Sequence, residues 1–254
     1  MRLFESLLIA LSTYSAVPVP QLDWNEKNMR YAICFFPAVG VLCGAALWLW
    51  AVLAQATGMS GVLFAAIAAC LPILVTGGIH MDGYLDTVDA LSSHQTCEKK
   101  LAIMKDANCG AFAVIRLCSY FAAYFALCGC VAFTPRVGVL WTLALVGERA
   151  LSGLAVAAFP LAKNTGLAHT FATAADRTTV RRVLMVLAAL LSAALLALGG
   201  WALVLAAFLV LARYHIVSDK QFGGITGDLA GWFLQKAELW MLAALCACQW
   251  GGLL

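Results

Sequence analysis

The chain has 254 residues, of which 63% are hydrophobic and only 11% are charged, and its mean hydropathy is +0.91. Soluble domains carry about 25% charged residues, so the composition argues against a water-soluble globular fold. The net charge of +3 is too small to indicate binding to nucleic acid. None of the ten cysteines forms a C-x-x-C pair, so the sequence does not predict a zinc or redox site.

Long apolar stretches predict a membrane protein built from helices, because helices satisfy their own backbone hydrogen bonds in lipid. The first twenty residues, with Glu5, Pro18 and Pro20, predict a short interfacial helix rather than a cleaved signal. We expect an all-α, polytopic integral membrane protein, a single domain over residues 1–254, with about seven transmembrane helices of ~20 residues plus short interfacial helices. The expected spans are 31–54, 61–80, 110–132, 137–159, 183–199, 201–217 and 233–253. The fifth and sixth are short and could instead form one tilted or broken unit.

The distribution of Lys and Arg predicts the orientation, since cytoplasmic loops are enriched in both. With the N-terminus in the cytoplasm, only Arg136 falls in an outer loop. The inner positions are Arg2, Lys27, Arg30, Lys99, Lys100, Lys105, Lys163, Arg177, Arg181, Arg182 and Lys220. We therefore expect segments 77–110, 160–182 and 218–230 to face the cytoplasm and to carry any chemistry.

The segment "GGIHMDGYLDTVDALSS" contains an aspartate stripe, which we define as Asp82, Asp86 and Asp89. The spacing i, i+4, i+7 places these residues on one helix face. Like charges at i, i+4 repel by ~0.2–0.5 kcal/mol, and by more near a bilayer. A divalent cation removes this repulsion, and carboxylate oxygens suit Mg²⁺ or Mn²⁺. The alternative is a juxtamembrane helix with solvated acids.

His80 stands just before the stripe. On an uninterrupted helix it points about opposite to Asp82, at ~100° per residue. It reaches the acids only if the helix begins after it. A catalytic or substrate-contacting role and a structural role both stay open.

Two further cytoplasmic segments contain residues suited to phosphate or metal. In "IMKDANCGAFAV", Lys105 suits a phosphate and Asp106 a metal ion. The alternative for Lys105 is interfacial snorkelling. The turn "GGITGD" ends in Asp228, and free amides in such turns can bind phosphate; its glycines are Gly223, Gly224 and Gly227.

Glu148 and Arg149 interrupt the fourth span. Adjacent helical residues point about 100° apart, so the two are poorly placed to pair with each other. We expect Arg149 to reach an acid on another helix or an anionic substrate. A buried ion pair is the structural alternative.

These segments together resemble the cobalamin synthase family, the adenosylcobinamide-GDP ribazoletransferases, along essentially the whole chain. The resemblance is carried by "FP" at 36–37, "GGIHMDGYLDTVDA" at 77–90, "IMKDANCGAFAV" at 103–114, "ER" at 148–149, "GLAHTF" at 166–171 and "GGITGD" at 223–228. Two positions depart from the family pattern. Ala90 replaces a usual glycine, and Gln235 stands where some relatives have Glu, while Glu238 matches.

The resemblance implies a multi-pass enzyme of the bacterial inner (cytoplasmic) membrane that needs Mg²⁺ and whose active site faces the cytoplasm. Such an enzyme joins adenosylcobinamide-GDP to alpha-ribazole, or its 5′-phosphate, and releases GMP. The product is adenosylcobalamin or its phosphate. The expected partners are these substrates and the lipid bilayer, with association with other late cobalamin enzymes as a further expectation.

The same residues receive roles in this chemistry. We expect the stripe to hold Mg²⁺, with Asp106 and Asp228 as further ligands. One of the acids, or His80, would take the proton of the attacking hydroxyl. The residues expected to contact substrate are Lys105, Arg149, Gly223, Gly224 and Gly227.

Other functional classes fit the sequence less well. A CDP-alcohol phosphotransferase, the nearest rival, has D-G-x-x-A-R early, whereas "DGYLDTVD" lacks the Ala-Arg. A prenyltransferase needs a second aspartate-rich motif, which is absent. A secondary transporter needs acids at mid-membrane beside broken helices, whereas the acids here mark the ends of spans, except Glu148.

Overall fold

The computed structural model describes residues 2–254, and every regular element in that range is helical. The elements are α1 (Arg2–Tyr14), α2 (Glu26–Met29), a 3₁₀ turn (Ala32–Phe35), α3 (Phe36–Thr57), α4 (Gly61–Thr76), α5 (Ile79–Ser92), α6 (Cys97–Ile103), α7 (Ala111–Cys130), α8 (Pro135–Ala158), α9 (Leu167–Ala174), α10 (Arg177–Ala197), α11 (Trp201–Phe222) and α12 (Gly227–Trp250). The all-α membrane fold predicted from the sequence is confirmed.

Five segments are long and apolar enough to cross a membrane, namely Ala32–Thr57, which contains α3, and the helices α7, α8, α10 and α11. The bent pair α4 and α5 makes a sixth if it is counted as one span. The expected number was about seven, and the difference lies in two segments. The helix α4 has only 16 residues. The helix α12 has 24 but carries Gln235, Lys236 and Glu238 in its interior.

The predicted fifth and sixth spans are two separate helices of 21 and 22 residues rather than one broken unit. They extend beyond the apolar windows because the start of α10 and the end of α11 carry polar residues such as Arg177 and Lys220. The chain reverses between them at Gly199, which has a φ of 80°. Each helix is therefore long enough to cross the bilayer alone.

The helix α8 lies at the centre of the bundle. Of its most apolar window, 72% is buried within the protein, against 22% for α7 and α10 and 28% for α11. It packs against α3, α10 and α12. The peripheral helices expose large apolar side chains such as Leu190 and Leu209, and in a bilayer these side chains contact lipid.

The chain bends sharply between α4 and α5, and this bend positions the aspartate stripe. Gly77 and Gly78 have φ values of 65° and 82°, a left-handed conformation that glycine adopts without a steric penalty. The two helix axes differ in direction by 97°. The helix α5 is therefore turned away from the direction of α4, and we treat it as lying outside the spanning helices.

Small residues let α3 approach α8 closely. Gly40 and Gly44 form a G-x-x-x-G motif, which lets helix backbones come together in membranes. A Cβ atom built on Gly40 would lie 2.5 Å from the carbonyl oxygen of Leu145 and 2.7 Å from Cα of Val146. Because these neighbours are backbone atoms, a larger residue would have to push the helices apart.

We predict that Gly40→Ala lowers the thermal unfolding midpoint of the purified protein in detergent, because overpacking costs ~1–3 kcal/mol. The matched control is Gly147→Ala on α8, where an added Cβ has no neighbour within 4 Å. The control should leave the midpoint unchanged or raise it. Equal losses in the two variants would contradict a close contact between α3 and α8.

Candidate active site

The aspartate stripe lies along the accessible side of α5. Asp82 is exposed and both Asp86 and Asp89 are half-buried, whereas Tyr84 and Val88 on the other side are buried. The helix is thus amphipathic, as its spacing predicted. Its buried side packs mainly against α12.

Two glycines bring α5 and α12 into close contact. A Cβ on Gly83 would lie 2.8 Å from Cα of Asp228, and one on Gly231 would lie 2.7 Å from the carbonyl oxygen of His80. No side chain separates the two backbones at this crossing. Asp228, in the first turn of α12, is consequently held against the helix that carries Asp82.

The carboxylates of the two helices act on one another electrostatically. Partial burial and repulsion from Asp82, Asp228 and Asp89 raise the pKa of Asp86 to about 6, although Lys163 opposes the shift. Burial, with a smaller contribution from Asp82, raises the pKa of Asp228, and Lys163 again opposes it. The site therefore concentrates negative charge that nearby cations only partly neutralise.

A cavity of about 320 Å³ opens beside this cluster. One group of its lining residues is charged, and we call it the charged rim: Asp82, Lys105, Lys163 and Asp228. A second group, which we call the aromatic wall, consists of Tyr14, Phe36 and His80. Of the site residues expected from the sequence, the lining includes His80, Asp82, Lys105, Gly227 and Asp228.

Lys163 is a functional candidate that the sequence analysis missed, since it was counted only as one of several cytoplasmic charges. It lies in the loop between α8 and α9, is half-buried, and its Nζ donates to the carbonyl oxygen of Leu101 at 3.4 Å. Burial lowers its pKa, and Asp228 counteracts that shift. A partly buried lysine beside carboxylates suits the binding of a phosphate group.

The glycine-rich turn before α12 holds the loop of Lys163 in place. The amide of Ile225 donates to the carbonyl of Pro160 at 2.8 Å, and the amide of Ala162 donates back to Ile225 at 2.9 Å. A Cβ on Gly224 would lie 2.6 Å from the nitrogen of Ala162. Gly223 ends α11 with a φ of 72°. Gly223 and Gly224 thus shape this turn outside the cavity lining, and their contact with substrate stays a prediction.

His80 is buried between aromatic rings. Its ring centroid lies 5.4 Å from that of Phe36 and 6.1 Å from that of Tyr14. Burial, with a contribution from Arg149, lowers its pKa to about 3, so the imidazole is neutral. The helix α5 already includes His80, yet His80 and Asp82 both line the cavity. The cavity therefore reaches two sides of the first turn of α5, which helical periodicity alone did not predict.

Two expected metal ligands make local contacts within the protein, and their role as ligands stays a prediction. The amide of Gly110 donates to Oδ2 of Asp89 at 3.0 Å, so Asp89 holds the residue that precedes α7. Asp106 is exposed, and its Oδ1 accepts from the amide and the side chain of Asn108, both at 2.9 Å. Asp106 is not among the charges that shift the pKa of Asp86. The structure therefore gives no support to Asp106 as a ligand.

The interpretation that Glu148 and Arg149 are poorly placed to pair is wrong. Nη1 of Arg149 donates to Oε1 of Glu148 at 2.7 Å and to the carbonyl oxygen of Leu145 at 2.8 Å. The long side chain folds back over the preceding turn, the direction that helical side chains prefer, and so reaches its neighbour. Arg149 is 1% exposed and does not line the cavity. Its position supports a buried ion pair rather than substrate binding.

The donor set of the cluster fits Mg²⁺ that is shared with a substrate. Within residues 2–254, no three Asp, Glu, His or Cys side chains are grouped so that they could hold one metal ion. Mg²⁺, however, usually binds through one or two carboxylates together with substrate phosphates. The oxygen donors of Asp82, Asp86 and Asp228 meet that smaller requirement. Metal dependence itself stays a prediction.

Comparison with known proteins identifies the family. The family model described as cobalamin-5-phosphate synthase matches residues 6–246. An adenosylcobinamide-GDP ribazoletransferase of Lachnoclostridium phytofermentans is 42% identical over 245 residues, covering 94% of this chain and 92% of the relative. Proteins with the same name from Geobacillus sp. (strain WCH70) and Clostridium botulinum (strain Alaska E43) are 30% and 27% identical over 247 residues. The alignment with the Geobacillus protein covers 94% of each chain. The alignment with the Clostridium botulinum protein covers 96% of this chain and 98% of the relative.

No solved structure matches the chain. The family model and the relatives nevertheless extend over almost the whole sequence, and they confirm the resemblance read from the motifs. The chain belongs to the cobalamin-5-phosphate synthase family.

Proposed function

We propose that this chain transfers alpha-ribazole, or its 5′-phosphate, to adenosylcobinamide-GDP and releases GMP, in the late nucleotide-loop assembly of vitamin B12. The reaction is the one for which its relatives are named. The observation that carries the proposal is the cluster of carboxylates from α5 and α12 beside a cavity that two lysines also line. Phosphoryl-transfer sites need this combination of acids and cations.

The chemistry is a displacement at phosphorus. A ribose hydroxyl of alpha-ribazole attacks the phosphorus next to cobinamide, the bond to the GMP oxygen breaks, and a carboxylate of the cluster accepts the hydroxyl proton. Such transfer depends mainly on positioning and on stabilisation of phosphate charge. Lys105 and Lys163 bind phosphate oxygens and orient the diphosphate along the charged rim.

A divalent cation belongs to this proposal. One or two of the carboxylates Asp82, Asp86 and Asp228 would hold Mg²⁺ together with substrate phosphate, with Mn²⁺ as the alternative. When bound, the ion supplies charge neutralisation at the diphosphate. Asp89 has a different role, since it holds Gly110 and thereby the segment that contains Lys105.

The proposed location is the bacterial inner membrane, with the charged rim facing the cytoplasm. The apolar helices indicate a multi-pass membrane protein. The lysines of the rim lie in the segments that the Lys and Arg distribution assigns to the cytoplasm. This side also gives direct access to water-soluble nucleotides.

Removing the charge of Asp86 should abolish the reaction. We predict that Asp86→Asn slows GMP release from adenosylcobinamide-GDP and alpha-ribazole at least a hundredfold, because the variant keeps the size but loses a ligand charge. The matched control, Asp106→Asn, changes an exposed acid outside the cavity and should stay within about threefold of wild type. A wild-type rate for Asp86→Asn over a range of Mg²⁺ concentrations would disprove the metal role.

The same substitution should stabilise the metal-free protein. A carboxyl whose pKa is raised on folding contributes stability at low pH that disappears as the pH rises through the folded pKa, here about 6. In the presence of a metal chelator, Asp86→Asn should have a higher thermal unfolding midpoint than wild type at pH 8. The difference between the two midpoints should disappear by pH 4. A lower midpoint for the variant at pH 8 would show that the ionised carboxylate is not repelled in the fold.

Asp89 should tolerate loss of charge better than Asp86. We predict that Asp89→Asn keeps at least a third of the activity, since its amide oxygen can still accept from Gly110, whereas Asp89→Ala loses the contact and most of the activity. The measurement is GMP release at saturating Mg²⁺. If Asp89→Asn were as inactive as Asp86→Asn, the charge of Asp89 would be required and its assignment as a positioning residue would be wrong.

A further inference from the structure

The aromatic wall of the cavity has no part in the transfer step proposed above. The rings of Tyr14 and Phe36 lie 4.5 Å apart between centroids, and His80 packs against both. Ile33, Val156, Leu167 and Leu234 complete this part of the lining. The wall and these four residues come from the 3₁₀ turn and from α1, α3, α5, α8, α9 and α12, so six helices contribute to an apolar surface beside a charged one.

One buried polar atom in this wall has no partner. The side chain of His80 is 5% exposed, and its Nε2 makes no hydrogen bond within the protein. Buried polar atoms are nearly always paired. The unpaired nitrogen of His80, a residue that lines the cavity, is therefore a candidate donor to a polar atom of a ligand.

The size of the cavity limits what can enter. Small-molecule sites have volumes of about 300–1,000 Å³, and this cavity, at about 320 Å³, lies at the lower limit. It admits a nucleoside but not a corrin macrocycle with its side chains. The corrinoid must then lie outside, with only its diphosphate reaching the charged rim.

The chemistry of the wall distinguishes the two aromatic bases in the reaction. The edge of guanine carries several hydrogen-bond donors and an acceptor, and each needs a partner when buried. The wall offers aliphatic and aromatic surface, and the carboxylates of the cavity lining, Asp82 and Asp228, belong to the charged rim. A benzimidazole has no exocyclic polar group and one ring nitrogen free to accept a hydrogen bond, which matches the single unpaired Nε2 of His80.

We propose that this cavity is the binding site for alpha-ribazole, with the benzimidazole base against Tyr14, Phe36 and His80 and the ribose directed toward the charged rim. Nε2 of His80 donates to the free ring nitrogen of the base. The inference rests on the proposed function, because it assigns one of that reaction's two substrates. It places the attacking hydroxyl at the rim and leaves the corrinoid on the membrane surface.

The test fills the cavity and measures binding without catalysis. Val156→Phe on α8 adds an aromatic ring to the cavity lining. The control, Val139→Phe, adds the same ring to the same helix at a residue that is 38% exposed and lies outside this cavity. Equilibrium dialysis of alpha-ribazole with the purified protein in detergent, without corrinoid, should show at least tenfold weaker binding for Val156→Phe and no change for the control. In the coupled reaction, the KM for adenosylcobinamide-GDP should stay within twofold of wild type.

The remaining outcomes separate the site from the reaction. Failure of wild type to bind alpha-ribazole, or an increase only in the KM for adenosylcobinamide-GDP, would overturn the proposed site and assign the cavity to guanine. Binding that Val156→Phe weakens, without GMP release by wild type, would support the site and refute the proposed function. If Val156→Phe lowers the thermal midpoint, Leu167→Phe on the short helix α9 provides the same obstruction and the same expected loss.

Discussion

The close crossing of α5 and α12 is the contact on which the site depends. At Gly83 and Gly231 the two backbones meet without an intervening side chain, so acids from distant parts of the sequence share one small region. Close packing of the two backbones gains many small van der Waals contacts. The packing energy of this crossing therefore offsets the unfavourable repulsion between the carboxylates of Asp86 and Asp228.

The interior of the bundle contains buried polar groups that support the fold, in contrast to the polar groups of the candidate active site. Arg149 pairs with Glu148, and the hydroxyl of Tyr124 donates to Glu238 at 2.7 Å. Charges buried in a membrane protein are costly unless they are paired, and these pairs lie away from the aqueous cavity. A transporter would use such groups along a substrate path. Here they are paired, and Glu148 and Arg149 belong to the continuous central helix α8, so these groups support the fold.

Sequence patterns predicted those features that depend on local periodicity. The spacing of the stripe was sufficient to predict the accessible face of α5. Lys163 and Tyr14 could not be predicted in this way, because only long-range contacts bring α1 and the loop after α8 to α5. Arg149 shows the converse limit. Pairing with Glu148 was judged unfavourable from ideal side-chain directions, whereas the flexible side chain of arginine can fold back over a helical turn.

The excess of carboxylates explains why the cation and the diphosphate should bind together. A site that held a metal tightly by itself would need three or more ligands arranged in advance, and residues 2–254 contain no such group. Weakly grouped acids instead bind an ion that brings phosphate oxygens with it. Each component then binds poorly alone, since the cation lacks ligands and the anionic diphosphate is repelled by Asp82 and Asp86. In the proposed reaction only the complete set would neutralise the carboxylate cluster, so the charge balance that makes this site unfavourable when empty would also make it selective for a metal-bound diphosphate.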